Sequence, residues 1–366
     1  MTAVLLGLGV GLPSYSADRQ ESVAYGRMLS CATDEQHRLL PALYRMVGVR
    51  RRYSVILEAP SDCATERQSF YPPPNGPDDK GPTVGTRMQR YATEAGPLAE
   101  TASRAALTDA RCAAESITHL VTVSCSGFAA PGIDHALIER LGLPSTVERV
   151  NVGFMGCHGA LNGLRVAKGL AADAGSGARI LLCAVELCSL HYHYGWDPEQ
   201  VVANALFADG AAAAVVGADG TPAYEQAWRV HATGSCLIPN SEDAMTWRIG
   251  DHGFEMTLSA RVPELIADNL PGWIASWLDK HGLALTDIAS WAVHPGGPRI
   301  LNAVDKCLGL GDGALDVSRS VLRDYGNMSS PTTLFILKQF RDAAAETPCV
   351  ALGFGPGLTA EAVLFT

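Results

Sequence analysis

The sequence predicts an α/β layered fold, with two related halves and a largely parallel central sheet. Three observations carry this reading. Buried-strand runs alternate with helix-length stretches from about residue 98 to the C-terminus. Gly and Ala supply 37 and 52 of the 366 residues, a composition suited to elements that pack closely. Hydrophobic residues make up 47% and charged residues 18%, enough apolar surface for a large core. The same figures exclude disorder and coiled coils. A net charge of -10 with no basic tail speaks against a nucleic-acid partner.

The elements follow in order. The opening MTAVLLGLGVGLP lacks a basic region and carries internal glycines, so it reads as a buried strand and not a signal peptide. No apolar run reaches membrane-spanning length, and a cytoplasmic protein is expected. Residues 60–90 read as irregular, rich in Pro and Gly. A helix is expected over 98–116, a strand over 118–124, a helix after Pro131 and a strand near 147–152. A helix then runs from Cys157 to about 173, with strands at 178–185 and 211–217. Residues 218–225 look like the seam, dividing the chain into 1–222 and 223–366. Beyond it come a strand near 228–234 and a helical pattern over 257–281, interrupted at Pro271. A strand ends at His294, helices follow Pro298 and span 331–345, and two strands close the chain.

Ten cysteines, at 31, 63, 112, 125, 157, 183, 188, 236, 307 and 349, form no CxxC pair. That pattern fits neither a zinc site nor a disulfide framework. Most read as inert core thiols, with one open to a nucleophilic role if a His partner exists. Gly7-x-Gly9-x-Gly11 follows a strand, but Leu12 stands where a dinucleotide fingerprint needs glycine. His191-Tyr192-His193 has no third metal ligand, so pocket lining or packing is expected and no metal site. Asn327-Met328-Ser329 matches a glycosylation pattern that means nothing without secretion. Arg45 and the Arg50-Arg51-Arg52 run are either a solvated face or an anchor for ligand phosphates.

Three segments carry more chemistry. In Gly153-Phe-Met-Gly-Cys157-His-Gly159, glycines around the cysteine permit a sharp strand-to-helix turn. Cys157 would then sit at a helix N-terminus, where the dipole lowers a thiol pKa. In Trp291-Ala-Val-His294-Pro-Gly-Gly-Pro298, a histidine ends a buried strand, a common place for function in α/β folds and also for a satisfied core histidine. Gly326-Asn327-Met-Ser329-Ser-Pro331 reads by itself as a helix cap.

Taken together, the GC turn at 156–157, HPGGP at 294–298, GNMSSP at 326–331 and GFGPG at 353–357 resemble type III polyketide synthases. These are the chalcone synthase-like family of the thiolase fold, whose layered core is αβαβα. ALFADGAAAAVVG at 205–217 adds to the likeness, which runs from about residue 85 to the end.

The resemblance implies a Cys157–His294–Asn327 site. Cys157 would take an acyl group from a coenzyme A thioester, with His294 holding the thiolate. His294 and Asn327 would stabilise the enolate left when malonyl-CoA loses CO2. Carried over by position, Phe207 is a gatekeeper and Met256 replaces a second gatekeeper Phe. Trp247 fills a site that is small in plant enzymes, and Cys125 replaces a Thr. Cys188, His191 and Ser329 complete the substrate-binding set. The helix CHGALNGL departs from the plant CFAGG pattern. Arg45, Arg51 and Arg299 are the coenzyme A candidates, and Ala130 matches a position that reaches across a homodimer. No cofactor beyond coenzyme A thioesters is implied. Two alternatives stand beside it: a single condensation as in β-ketoacyl-carrier-protein synthase III, and a non-enzymatic scaffold. The HPGGP and GNMSSP contexts favour the iterative synthase, and the presence of all three site groups speaks against a scaffold.

Overall fold

The computed structural model describes residues 2–59, 64–218 and 227–366. The first part of the chain contains β1 (Ala3–Gly11), β2 (Ser16–Asp18), α1 (Arg19–Ser30), α2 (Asp34–Met46), β3 (Arg51–Tyr53) and α3 (Val84–Asp109). Then come β4 (His119–Ser124), α4 (Ile133–Leu141), β5 (Glu148–Gly153), α5 (Gly159–Ala174), β6 (Arg179–Leu187), α6 (Pro198–Leu206) and β7 (Asp209–Ala218). The second part contains β8 (Trp228–Leu237), β9 (Met245–Gly250), β10 (Gly253–Leu258), α7 (Val262–Asp279), β11 (Ser290–Val293) and α8 (Pro298–Leu308). It ends with α9 (Asp316–Tyr325), α10 (Pro331–Asp342), β12 (Cys349–Gly355) and β13 (Thr359–Phe365).

Nine strands form one sheet in the order β11-β12-β13-β8-β1-β7-β6-β4-β5. The pairing is mixed, against the expectation of a largely parallel sheet. β4 pairs in parallel with β5 and β6, and β11 with β12; the other neighbours are antiparallel. The misreading has a physical cause: any strand buried on both faces reads as a continuous apolar run, whichever way its neighbours point. β8-β13-β12-β11 repeats the order and sense of β1-β7-β6-β4, and β1 joins β8 at the centre.

Burial resolves the layers. α3 and α4 cover the outer face of the N-terminal strands, and α7 and α8 cover that of the C-terminal strands. α5 and α10 lie between, packed on strands of both halves. This is the αβαβα core. On β7, Ala211, Ala213 and Val215 face the outer layer while Ala212, Ala214 and Val216 face the middle one, so two-fold alternation feeds two cores.

The Gly and Ala content has a specific use. A Cβ on Gly9 would fall 2.2 Å from the Ala106 nitrogen and 2.3 Å from the Ala102 carbonyl oxygen. Gly7-x-Gly9-x-Gly11 thus seats the alanine face of α3 directly on β1, and no phosphate loop is formed.

Several boundaries differ from the sequence reading. α3 begins at Val84 behind the Thr83 cap, inside the stretch expected to be irregular. α7 runs unbroken through Pro271, because buried Ile266, Leu270, Ile274 and Leu278 hold both sides of the lost backbone bond. Residues 257–258 belong to β10, paired with β9 in a separate hairpin that the sequence reading missed, as it missed α9. The 222/223 division lies outside the described residues. Among the described residues no helix is long and apolar enough to cross a membrane.

Candidate active site

β5 ends at Gly153, and the chain turns through two left-handed residues, Phe154 (φ 59°) and Gly156 (φ 68°). One 3-10 turn, Gly156–His158, then leads into α5. A side chain at Gly156 would meet Pro356 Cδ at 2.5 Å, so the GFGPG turn packs directly on the turn that carries Cys157. Cys157 is buried, and the side chains of Ser329 and Asn327 lie close enough to its thiol to favour the thiolate.

Asn327 is placed by its backbone. Its N–H donates to the Leu206 carbonyl at 3.0 Å, and its carbonyl accepts from the Ala208 N–H at 2.9 Å, bridging it to Phe207. The Asn327 Oδ1 accepts the Ser329 N–H at 2.8 Å. With its oxygen so engaged, the amide N–H groups are the donors available on that side chain. Ser329 is itself left-handed (φ 56°), and its Oγ lies 3.4 Å from Cys125 Sγ. Strain of this kind collects at functional sites.

His294 follows β11, its N–H donating to the Leu352 carbonyl at 2.7 Å. The ring is buried and neither nitrogen has a hydrogen-bond partner. It lies within electrostatic reach of His158, the neighbour of Cys157. Asn327, Ser329 and Cys125 therefore form one bonded cluster beside the Cys157 thiol, with the His294 ring unbonded.

The expected lowering of the Cys157 pKa is overturned for the closed site. Burial pushes the thiol up to about 11; the Ser329 and Asn327 side chains pull the other way, and buried Glu186 adds to the rise. Burial likewise pushes His294 down to about 3. Desolvation exceeds the helix-terminus effect here.

Cys157 opens into a cavity whose walls include Phe207, Met256, Trp247, Cys188 and His191, with Cys125 and Ser329. The sequence-derived substrate set is thus brought together around one space. The cavity is narrow, with a volume of about 40 Å³. Trp247 is fixed in the wall by donating Nε1–H to the Cys125 carbonyl at 2.7 Å.

The basic residues divide. Arg45, Arg51 and Arg299 are exposed and away from this cavity. Arg299 lines a separate surface cleft with Val202 and Ser259. Gly48, in the loop between Arg45 and Arg51, packs near Pro298. Arg52 is buried, a correction to the reading of its cluster as one surface. It donates to the carbonyls of Asn204 and Phe207 and stands over Tyr44 and Tyr192.

Sequence reasoning missed Glu186. Fully buried on β6, it accepts from the Cys125 and Ser126 N–H groups and from the Ser126 and Ser330 hydroxyls. It braces the Cys125 loop and the start of α10, and burial raises its pKa. A single acidic residue inside the apolar run ILLCAVEL was the available signal. The nine cysteines among the described residues are all free, Cys63 lying outside them. No group of three metal-binding side chains occurs among the described residues.

Comparison with known proteins decides the family. The model for the chalcone and stilbene synthases, N-terminal domain, matches residues 1–220, and that for the C-terminal domain matches 229–366. The chain belongs to the chalcone and stilbene synthase family. It is an acyltransferase, a type III polyketide synthase. It is 34% identical to the type III polyketide synthase C of Arabidopsis thaliana, over 99% of this chain and 94% of that one. Identity to the alpha-pyrone synthesis polyketide synthase-like Pks18 of Mycobacterium tuberculosis is 32%, over 99% and 91%. The crystal structure of PKS-I from the brown alga Ectocarpus siliculosus superposes with a TM-score of 0.89 at 32% identity, covering 100% of this chain and 98% of that one. The type III polyketide synthase domain of Steely1 from Dictyostelium gives 0.88 at 26%, covering 100% and 99%.

Proposed function

We propose that this synthase loads an acyl-CoA starter on Cys157 and extends it by repeated decarboxylative condensation with malonyl-CoA. The observation that carries the reading is the Asn327 amide near the Cys157 thiol: the Ser329 N–H holds its oxygen, which leaves its N–H groups as the donors available on that side chain. Cys157 sulfur attacks the starter thioester, the bond to coenzyme A breaks, and coenzyme A leaves as the thiol with the cysteine's proton. His294 takes that proton in passing. Malonyl-CoA loses CO2, and the electrons of the broken C–C bond become an enolate held by His294 and Asn327. The enolate carbon attacks the acyl carbon and expels the Cys157 thiolate. Each round of loading and extension consumes one proton.

The half 1–222 supplies the nucleophile and the half 223–366 the other two groups. Arg45, Arg51 and Arg299 bind the coenzyme A phosphates, and no cofactor is needed beyond the thioester substrates. The product is of pyrone, resorcinol or phloroglucinol type. The enzyme works in the cytoplasm as a homodimer: the edge strand β5 is exposed beside Phe128, Ala130 and Met155, an apolar face suited to a second copy. The test is a panel of starter acyl-CoAs with malonyl-CoA, products identified by mass. Products carrying two or more extensions support the reading. A single condensation that requires a malonyl carrier protein overturns it.

A further inference from the structure

The motif His191-Tyr192-His193 holds one residue of the β9–β10 hairpin at both ends. The Phe254 N–H donates to His191 Nδ1 at 3.0 Å, and the Phe254 carbonyl accepts from His193 Nε2 at 3.0 Å. The other His191 nitrogen donates to the Ser126 carbonyl at 2.7 Å, which fixes a neutral ring with its proton on Nε2. Burial pushes His191 down to about 3 and keeps it in that state. The ring lies flat against Phe254, centroids 4.3 Å apart at 14°, and edge-on to Trp247 at 5.5 Å. Buried Arg87 donates to the carbonyls of Leu190 and Tyr192, which secures the backbone from which both histidines project.

The hairpin needs such a hold. β9 and β10 pair only with each other and do not join the nine-stranded sheet. Yet the hairpin carries Trp247, Phe254 and Met256, three walls of the Cys157 cavity. With both His191 nitrogens engaged, no lone pair remains for a metal.

We propose that His191 and His193 are positioning residues that clasp the hairpin at Phe254 and so limit how many extensions the cavity accommodates. This rests on the polyketide synthase reading above. A wall held by hydrogen bonds to the two peptide units on either side of Phe254 cannot retreat as the chain lengthens. A released wall can, and longer products follow.

The test compares His193→Leu, which removes the donor, with His193→Gln, whose amide can place an N–H where Nε2 stood. Two readouts are taken on the full chain: the ratio of longer to shorter products from a starter panel, and hydrogen exchange of peptide 245–258. His193→Leu is expected to raise the ratio and the exchange rate each about fivefold, the size of one lost hydrogen bond. His193→Gln stays within about twofold of wild type on both, since the bond is kept. Wild-type values in the Leu variant overturn the clasp, as does a Gln variant that behaves like Leu. Faster exchange with unchanged products overturns the limit on extension. If wild type yields no polyketide from any starter, the synthase reading fails, and the exchange measurement still decides whether the clasp exists.

Discussion

In the N-terminal half of the sheet, β4 pairs in parallel with β6, and the residue that follows β4 is Cys125. In the C-terminal half, β11 pairs in parallel with β12, and the residue that follows β11 is His294. The repeated plan puts these two side chains at equivalent strand ends. Their surroundings differ. The Cys125 N–H is held by Glu186, its carbonyl by Trp247 and its sulfur by Ser329. His294 is held only through its backbone, and its ring has no partner. The two middle-layer helices both begin beside site residues: α5 opens just after the thiol of Cys157, and α10 just after the amide of Asn327 and the Ser329 N–H that holds its oxygen. Of the two strand ends, the Cys125 end is bonded framework and the His294 end carries an unbonded ring.

Breaking this assignment starts with Cys157, the proposed nucleophile. Cys157→Ala is expected to lower condensation at least about 10³-fold, because the sulfur proposed to carry the acyl link is gone. Product formation from malonyl-CoA measures it. Activity above a tenth of wild type would move the acyl link to Cys125 or Cys188 and dissolve the distinction.

Asn327→Leu comes next, with an expected loss of about 10²- to 10³-fold in malonyl-CoA decarboxylation, the usual cost of one donor to a developing oxyanion. Acylation of Cys157 by a starter should survive, since the sulfur remains. Release of labelled CO2 at the wild-type rate would remove Asn327 from the enolate.

A smaller effect sharpens the electrostatics. The thiolate is the species that reacts with iodoacetamide, and Cys157 stands at about 11. Its alkylation in the free enzyme should therefore climb about tenfold per pH unit between roughly pH 7 and 9. His294 stands at about 3 and is neutral throughout this range, so His294→Leu should leave that slope unchanged. A plateau near neutrality would show that a thiolate–imidazolium pair already exists in the free enzyme.

Much of this was legible in sequence, for reasons that differ by element. The turn around Cys157 declares itself because left-handed backbone at Gly156 needs glycine. The buried strands declare themselves by length and apolar continuity, but their direction does not, since it depends on partners far along the chain. The β9–β10 hairpin had a signal that was passed over, since TWRI and FEMTL each alternate polar with apolar around a GDHG turn; what holds it, hydrogen bonding from His191, His193 and Gln200 across 56 to 63 residues, has no local signal. Arg52 looked like its exposed neighbours because nothing local shows that Asn204 and Phe207 offer it carbonyls. Glu186 could have been singled out, as one carboxylate in an apolar strand implies several buried donors.

The smallest expected effect bears most directly on the two equivalent strand ends. Cys125→Ser keeps a group that can bond Ser329, and its backbone N–H still reaches Glu186. If Cys125 is framework, kcat should change by no more than about threefold, because a hydroxyl replaces a thiol in the same bond. The matching change at the other strand end, His294→Gln, removes a ring that no internal bond replaces, and its loss should approach that of Asn327→Leu. Loss of more than about tenfold in Cys125→Ser would exceed what a neutral hydrogen-bond exchange can account for. The Cys125 sulfur would then take part in the chemistry, and the equivalence of the two strand ends would extend from geometry to function.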